Sequence, residues 1–220
     1  MNIAVLVAMD REFDKFSRLI PTIEADGRLG GHKILLAKCG IGKVNSAIGA
    51  LKLIQDCAPD CIISSGCAGG IGKGVRTMDV VVASECAYHD VWCGMGCEYG
   101  QIQGLPTRFA SDVGLLRKAM EAAGAELDRS VHAGLICSGD RFVSSRQEED
   151  DILSHFPEAL AVDMESCSIA QVCHIQGVPF LSIRVISDSA SDDHESEYND
   201  FWETVADTSF SFVTKVLENL

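Results

Sequence analysis

Four short stretches of this chain carry side chains able to do chemistry: Glu12, Phe142-Val143, Asp163-Met164-Glu165 and Arg184-x-x-Ser187-Asp188. Separated carboxylates with one arginine, one aromatic ring and one thioether suit a ligand that has a flat ring and a polyol. Cleaving a glycosidic bond needs an acid for the leaving group and a base for water, and carboxylates serve in both roles. A cation-like sugar transition state also gains from nearby negative charge. Each stretch has a plainer explanation when taken alone. Asp163 could cap the helix that follows it, and Glu165 and Glu12 could complement helix dipoles from the first turn. What favours a site is that all four stretches fall at the ends of strand-like runs.

The elements that must position them follow from the hydrophobic pattern. Residues 1–9 form a short apolar run, read as the first strand, and Asp10 is placed to cap a helix whose Phe13, Phe16 and Ile20 share a face. Residues 33–39 read as a second strand, and Gly40-Ile41-Gly42-Lys43 opens a helix to about Cys57. This is a tight turn and not a phosphate loop, since the Walker spacing would need Gly and Ser or Thr where the chain has Ala37 and Val44. A third strand at 60–65 is expected to end in the glycine run 66–72, which does not fit a dinucleotide fingerprint. That run marks either a close backbone approach, to a ligand or another segment, or a tight bend.

A strand begins at Asp79, and from Tyr88 to about Phe109 the pattern breaks into a long segment with Trp92, Cys93 and Met95. Long structureless segments in compact domains serve as lids, binding loops or interface arms. His89 within it reads as structural. A helix near 112–123, a strand at 133–137, and Ser145-x-x-Glu148 as a capping box for an acidic helix come next. Residues 159–163 form a buried strand leading into a helix that ends near Gly177. Residues 178–186 form another, and an acidic loop leads through Tyr198 into a C-terminal helix. This alternation predicts an α/β single-domain three-layer sandwich: a central, largely parallel (mixed) twisted sheet flanked by helices.

The 220 residues carry a formal charge of −14, which argues against duplex DNA and anionic membranes as partners. The first apolar run is too short to span a membrane and lacks the marks of a signal peptide, so the cytoplasm is the expected compartment. The ten cysteines lack zinc-site spacing and several sit in strand-like runs, so free thiols are expected and no metal.

In order along the chain, these features resemble the bacterial 5′-methylthioadenosine/S-adenosylhomocysteine nucleosidases, within the purine nucleoside phosphorylase and uridine phosphorylase superfamily. The resemblance runs through Ala8-Met9-x-x-Glu12, Gly40-Ile41-Gly42-Lys43-Val44, Gly66-x-Ala68-Gly69-Gly70, Tyr88-His89-Asp90 and Glu98-Tyr99-Gly100-Gln101. It continues in Ser138-Gly139-Asp140-x-Phe142, Met164-Glu165 and Arg184-x-Ile186-Ser187-Asp188. It implies one nucleoside phosphorylase-like domain over residues 1–220, acting without a cofactor on a small nucleoside.

By that resemblance Glu12 activates the attacking water, helped by Arg184, and Asp188 protonates the departing adenine, with Ser187 holding Asp188. Glu165 joins them at the catalytic centre by gripping the ribose hydroxyls, Asp163 supports that grip, and Met164 packs under the sugar. Phe142 stacks on the purine while the backbone of Val143 reads its edge. Ile41 and Tyr198 line the 5′-thio pocket. A partner subunit completes that pocket in the family, which casts the Trp92–Met95 loop, with Cys93 and Met95, as an arm reaching across a homodimer. Cys67 faces substrate where many members have Ser, Asp163 stands where a Glu often precedes the Met-Glu pair, and the 92–97 loop is one residue shorter than usual.

The implied substrates are 5′-methylthioadenosine and S-adenosylhomocysteine, with 5′-deoxyadenosine a further candidate. Phosphorylases of the superfamily carry a phosphate loop where this chain has Asp10-Arg11-Glu12, so water is favoured over phosphate. A futalosine-type nucleosidase is the alternative; a phosphorylase or a non-catalytic nucleoside-binding protein fits less well.

Overall fold

The computed structural model describes residues 1–18, 27–124, 130–189 and 194–220, the side chains of 18, 189 and 194–203 excepted. In chain order the elements are β1 (Asn2–Val7), α1 (Asp10–Arg18), β2 (Arg28–Leu29), β3 (His32–Lys38), α2 (Lys43–Cys57), β4 (Cys61–Gly70), β5 (Val80–Tyr88) and β6 (Arg108–Ala110). There follow α3 (Val113–Ala123), β7 (Val131–Ser138), α4 (Arg146–His155), β8 (Ala159–Asp163), α5 (Ser166–Gln176), β9 (Phe180–Ser189) and α6 (His194–Glu218).

The two-residue period of the strands builds the layers. Ile3, Val5 and Val7 of β1 face one core with Leu115 of α3 and Phe212, Val213 and Val216 of α6. Ala4 and Leu6 face the opposite core with Leu53 of α2 and Ile169 of α5. Burial on both faces is why the central strands read as continuous apolar runs. A third core sets Leu135 of β7 and Val162 of β8 against Ile152 of α4.

The sheet is mixed, as expected, and it closes on itself. β4 pairs in parallel with both β1 and β9, β9 is antiparallel to β5, and β5, β7 and β8 run parallel in succession. Gly69 and Gly70 then pair antiparallel with Val162 and Ala161, returning β8 to β4 and completing a five-stranded ring. β3 and β2 extend the sheet beyond β1, and β6 extends it beyond β5.

Three local expectations need correction. β4 does not end at Ser65 but continues through the glycines to Gly70. Asp10 is the first residue of α1 rather than its cap: its carboxylate pairs with Lys38, and Glu12 instead accepts from the N–H groups of Ala8 (3.0 Å) and Met9 (2.9 Å). β9 runs past Ile186 to Ser189, and its pairing with β4 slips between Ala68 and Gly69, so that Ser187 is the extra residue. A bulge of this kind re-aims the side chains beside it. Here the next one is Asp188.

Candidate active site

A cleft of about 150 Å³ opens at the carboxyl ends of β1, β4, β8 and β9, with the segment after β7 forming one wall. Of the residues read from the sequence, the cleft brings together Glu12, Ile41, Cys67, Phe142, Val143, Asp163, Met164, Glu165, Arg184, Ser187 and Asp188. Cys93 and Met95 are exposed and do not line it, and the Tyr198 side chain lies outside the described residues. Arg141 also lines it, a residue the sequence reading passed over.

Glu12 is buried, and its position depends on Gly66. A Cβ on Gly66 would lie 2.8 Å from the Glu12 carboxyl oxygen and 3.7 Å from the Arg184 guanidinium carbon. Burial raises the Glu12 pKa above the usual carboxylate value; the Met9 N–H, the Arg184 charge and the Ala8 N–H offset part of this. A carboxylate tuned upward in this way suits a general base.

Asp163 and Glu165 fare differently although they are two residues apart. Asp163 accepts from Ser138 Oγ (2.5 Å), from the Ser166 hydroxyl, from the N–H groups of Glu165 (3.3 Å) and Ser166 (3.2 Å), and from Arg184 Nε (2.8 Å). It accepts from the first N–H of α5 and anchors Arg184, so its carboxylate is committed to the protein. Arg184 also donates through its terminal nitrogens to Ile183 O (3.1 Å) and Ser64 Oγ (3.0 Å). Toward Glu12 it acts as a nearby positive charge. Glu165 accepts from Gly42 N–H at 2.9 Å. Burial, then the Asp163 charge, push its pKa up to about 7.

Asp188 is buried and accepts from Ser187 Oγ at 2.6 Å, while Ser187 also reaches Ala68 O at 3.3 Å. Gly69 lies beside it: a Cβ there would be 3.3 Å from Val162 Cγ2 and in ordinary contact, at 3.4 Å, with Asp188 Oδ2. Phe142 is 48% exposed and Val143 is buried, and both line the cleft. Burial and the Glu12 charge raise the Cys67 thiol pKa well above its usual value, so it stays protonated. No three of His, Cys, Asp and Glu converge as a metal site among the described residues.

The sequence model of the phosphorylase superfamily matches residues 2–218. A curated 5′-methylthioadenosine/S-adenosylhomocysteine nucleosidase from Exiguobacterium is 37% identical over all of this chain and 99% of its own. This chain belongs to that family. The crystal structure of the Neisseria meningitidis nucleosidase in complex with methylthio-immucillin-A superposes with a TM-score of 0.94 at 40% identity, covering 100% of this chain and 99% of that one. The Streptococcus pneumoniae nucleosidase with a transition-state inhibitor superposes at 0.92 and 33% identity, covering 100% and 99%. Gly42, Ser64, Ser138 and Ser166, which hold the functional carboxylates and Arg184 in place, went unassigned in the sequence reading. Gly42 and Ser138 lie inside the family motifs, whereas Ser64 and Ser166 leave no signal without coordinates.

Proposed function

We propose that this chain is an N-glycosyl hydrolase that cleaves adenine from 5′-methylthioadenosine and S-adenosylhomocysteine, leaving the thioribose sugar. The observation that carries the residue roles is that two buried acids, Glu12 and Asp188, share one cleft, one beside Gly66 and the other beside Gly69 of β4. In this reading Glu12, held above the usual carboxylate range, takes a proton from water attacking the anomeric carbon. Asp188, braced by Ser187, gives a proton to the imidazole-ring nitrogen of the departing adenine. Glu165 grips the ribose hydroxyls, Met164 lies under the sugar, and Phe142 and Val143 hold the base. Asp163 acts through others, by fixing Arg184 and the start of α5. Four carboxylates around the cleft favour a cation-like sugar and disfavour a phosphate nucleophile.

We read residues 1–220 as one nucleoside phosphorylase-like domain that works as a homodimer. Ile41, Val44 and Ile48 are all exposed, at helical spacing, and Ile41 also lines the cleft, so the apolar strip runs from the mouth of the site outward. Trp92 and Met95 add an exposed apolar loop suited to a second copy's 5′ pocket. All ten cysteines are free thiols, which fits a reducing, cytoplasmic setting.

Purified protein is expected to release adenine from methylthioadenosine without phosphate, and S-adenosylhomocysteine and aminodeoxyfutalosine run in parallel rank the 5′ groups. Strict dependence on phosphate would sink the hydrolase reading. Asp188→Asn should lower kcat by about 10²–10⁴-fold with a far smaller change in KM; an unchanged kcat removes Asp188 as the acid.

A further inference from the structure

The grip of Glu165 depends on a backbone group that has no side chain of its own to hold it. Gly42, whose N–H meets Glu165, sits at φ 93°, in the left-handed region, immediately before α2. What fixes it is its neighbour. The Lys43 N–H donates to Asp140 Oδ1 at 2.7 Å, and the Lys43 ammonium spans both oxygens of Asp90 at 2.8 and 2.7 Å. Asp90 in turn accepts from the Asp140 N–H at 2.9 Å. The result is a closed ring through three segments: the residues after β5, the start of α2, and the residues after β7. Asp140 stands two positions before Phe142 on that last segment.

A second link runs beneath the first. Ser46 Oγ donates to Gly42 O at 2.8 Å and meets Ser168 Oγ at 2.5 Å, and Ser168 Oγ reaches Glu165 O at 2.8 Å. Both serines are buried. The hydroxyl bridge sets the distance between α2 and α5, while the charged ring sets where Gly42 points. Close packing makes that aim strict, because a Cβ at Gly42 would lie 2.8 Å from Asp140 Oδ1.

We infer that Asp90, through Lys43 and Asp140, is a positioning residue for the reaction, holding the Gly42 N–H on Glu165 and the Phe142–Val143 base wall in one frame. The inference rests on the roles proposed above for Glu165 and Phe142. The Lys43 and Asp90 side chains are 23% and 26% exposed, so as an ion pair they add little to folding. Their value is in geometry, where a misplacement of about 1 Å can cost on the order of 100-fold in rate. The groups facing Glu165 are Asp163 on its own stretch, Glu12 from α1, Arg184 from β9, the Cys39 and Cys67 thiols, and the Gly42 N–H at the start of α2. Of these, Arg184 and the Gly42 N–H favour its ionised form. Losing the Gly42 N–H therefore raises the pH at which Glu165 ionises.

The test is kcat and KM for methylthioadenosine between pH 5 and 9, with Tm, for wild type, Asp90→Ala, Asp90→Asn, Lys43→Met and Lys43→Arg. Asp90→Ala and Lys43→Met should lower kcat/KM by 10- to 100-fold, move both kcat and KM, and shift the acidic limb of the kcat/KM profile to higher pH, with Tm nearly unchanged. Lys43→Arg should recover most of the activity lost in Lys43→Met. If Asp90→Ala does not fold, Asp90→Asn, which keeps the size and an acceptor oxygen, carries the measurement. Variants with the wild-type acidic limb, or with losses that only track Tm, overturn the inference while leaving the nucleosidase reading in place. A wild type that releases no adenine overturns both.

Discussion

Asp163 and Glu165 lie one methionine apart and are both buried, yet their surroundings assign them opposite work. Asp163 is saturated by hydroxyl, amide and guanidinium donors, and Glu165 meets the Gly42 N–H while carrying the burden of its neighbour's charge. The sequence showed two carboxylates around a methionine; which one reaches out and which one is used up depends on Ser138, Ser166 and Arg184, distant in sequence from one another. The Glu165 pKa has a consequence for stability. Its folded-state pKa, about 7, lies above the value of 4.5 for a free glutamate, so the native state binds the proton more tightly than the unfolded chain. The stabilisation that this gives is complete below about pH 4.5 and is lost as pH rises through about 7. Raising pH across that window therefore costs stability, on the order of 3 kcal/mol from this group. Glu165→Gln, neutral throughout, should remove that pH dependence and unfold at higher temperature than wild type at pH 8, with activity largely lost. Thermal melts from pH 4.5 to 8 check it: parallel curves for the two proteins would contradict the raised pKa.

At the scale of elements, β4 shows where pattern reading succeeds and where it stops. The alternation of buried strands and amphipathic helices was legible, and so were the boundaries of α2, α3 and α5, because apolar period and capping chemistry are local. Ser145 does cap α4 through the Glu148 N–H, although the Glu148 carboxylate reaches back to the Ser144 N–H. The glycine run after Ser65 was not legible as strand, since glycine disfavours strands and nothing local says what takes up the missing volume. The structure supplies that volume: Glu12 against Gly66 and Asp188 against Gly69. The short β6 and the bulge at Ser187 were equally hidden, being set by long-range pairing. Gly66→Ala should therefore act on the chemistry. Its new methyl would press on Glu12 and lower kcat at least 10-fold, while the strand pairing on either side keeps the fold intact. Steady-state kinetics beside a melting curve decide the matter, and full activity in Gly66→Ala would show that Glu12 does not depend on that space.

At the scale of the whole molecule, ring closure explains why one end of the sheet holds all the chemistry. β8 returns to β4 at Gly69 and Gly70, and that seam draws the ends of β8 and β9 against the end of β4. Glu12, from the turn after β1, arrives beside them because β1 pairs with β4. Ile41 is 50% exposed and Met95 fully so, and neither Cys93 nor Met95 approaches the cleft of its own chain. With a charge of −14 on each copy, association between copies must overcome repulsion, which an apolar strip along α2 is suited to do. Sedimentation at micromolar concentration should give a species of twice the 23.6 kDa chain mass. Val44→Glu and Ile48→Glu should shift it to the monomer and raise KM for methylthioadenosine by about tenfold or more, since each adds a buried charge at the contact. Neither residue lines the cleft, so a loss of activity that follows the loss of the dimer points to a neighbour's contribution to the 5′ pocket. A fully active 23.6 kDa monomer would refute that contribution, and with it the role proposed for the Trp92–Met95 loop.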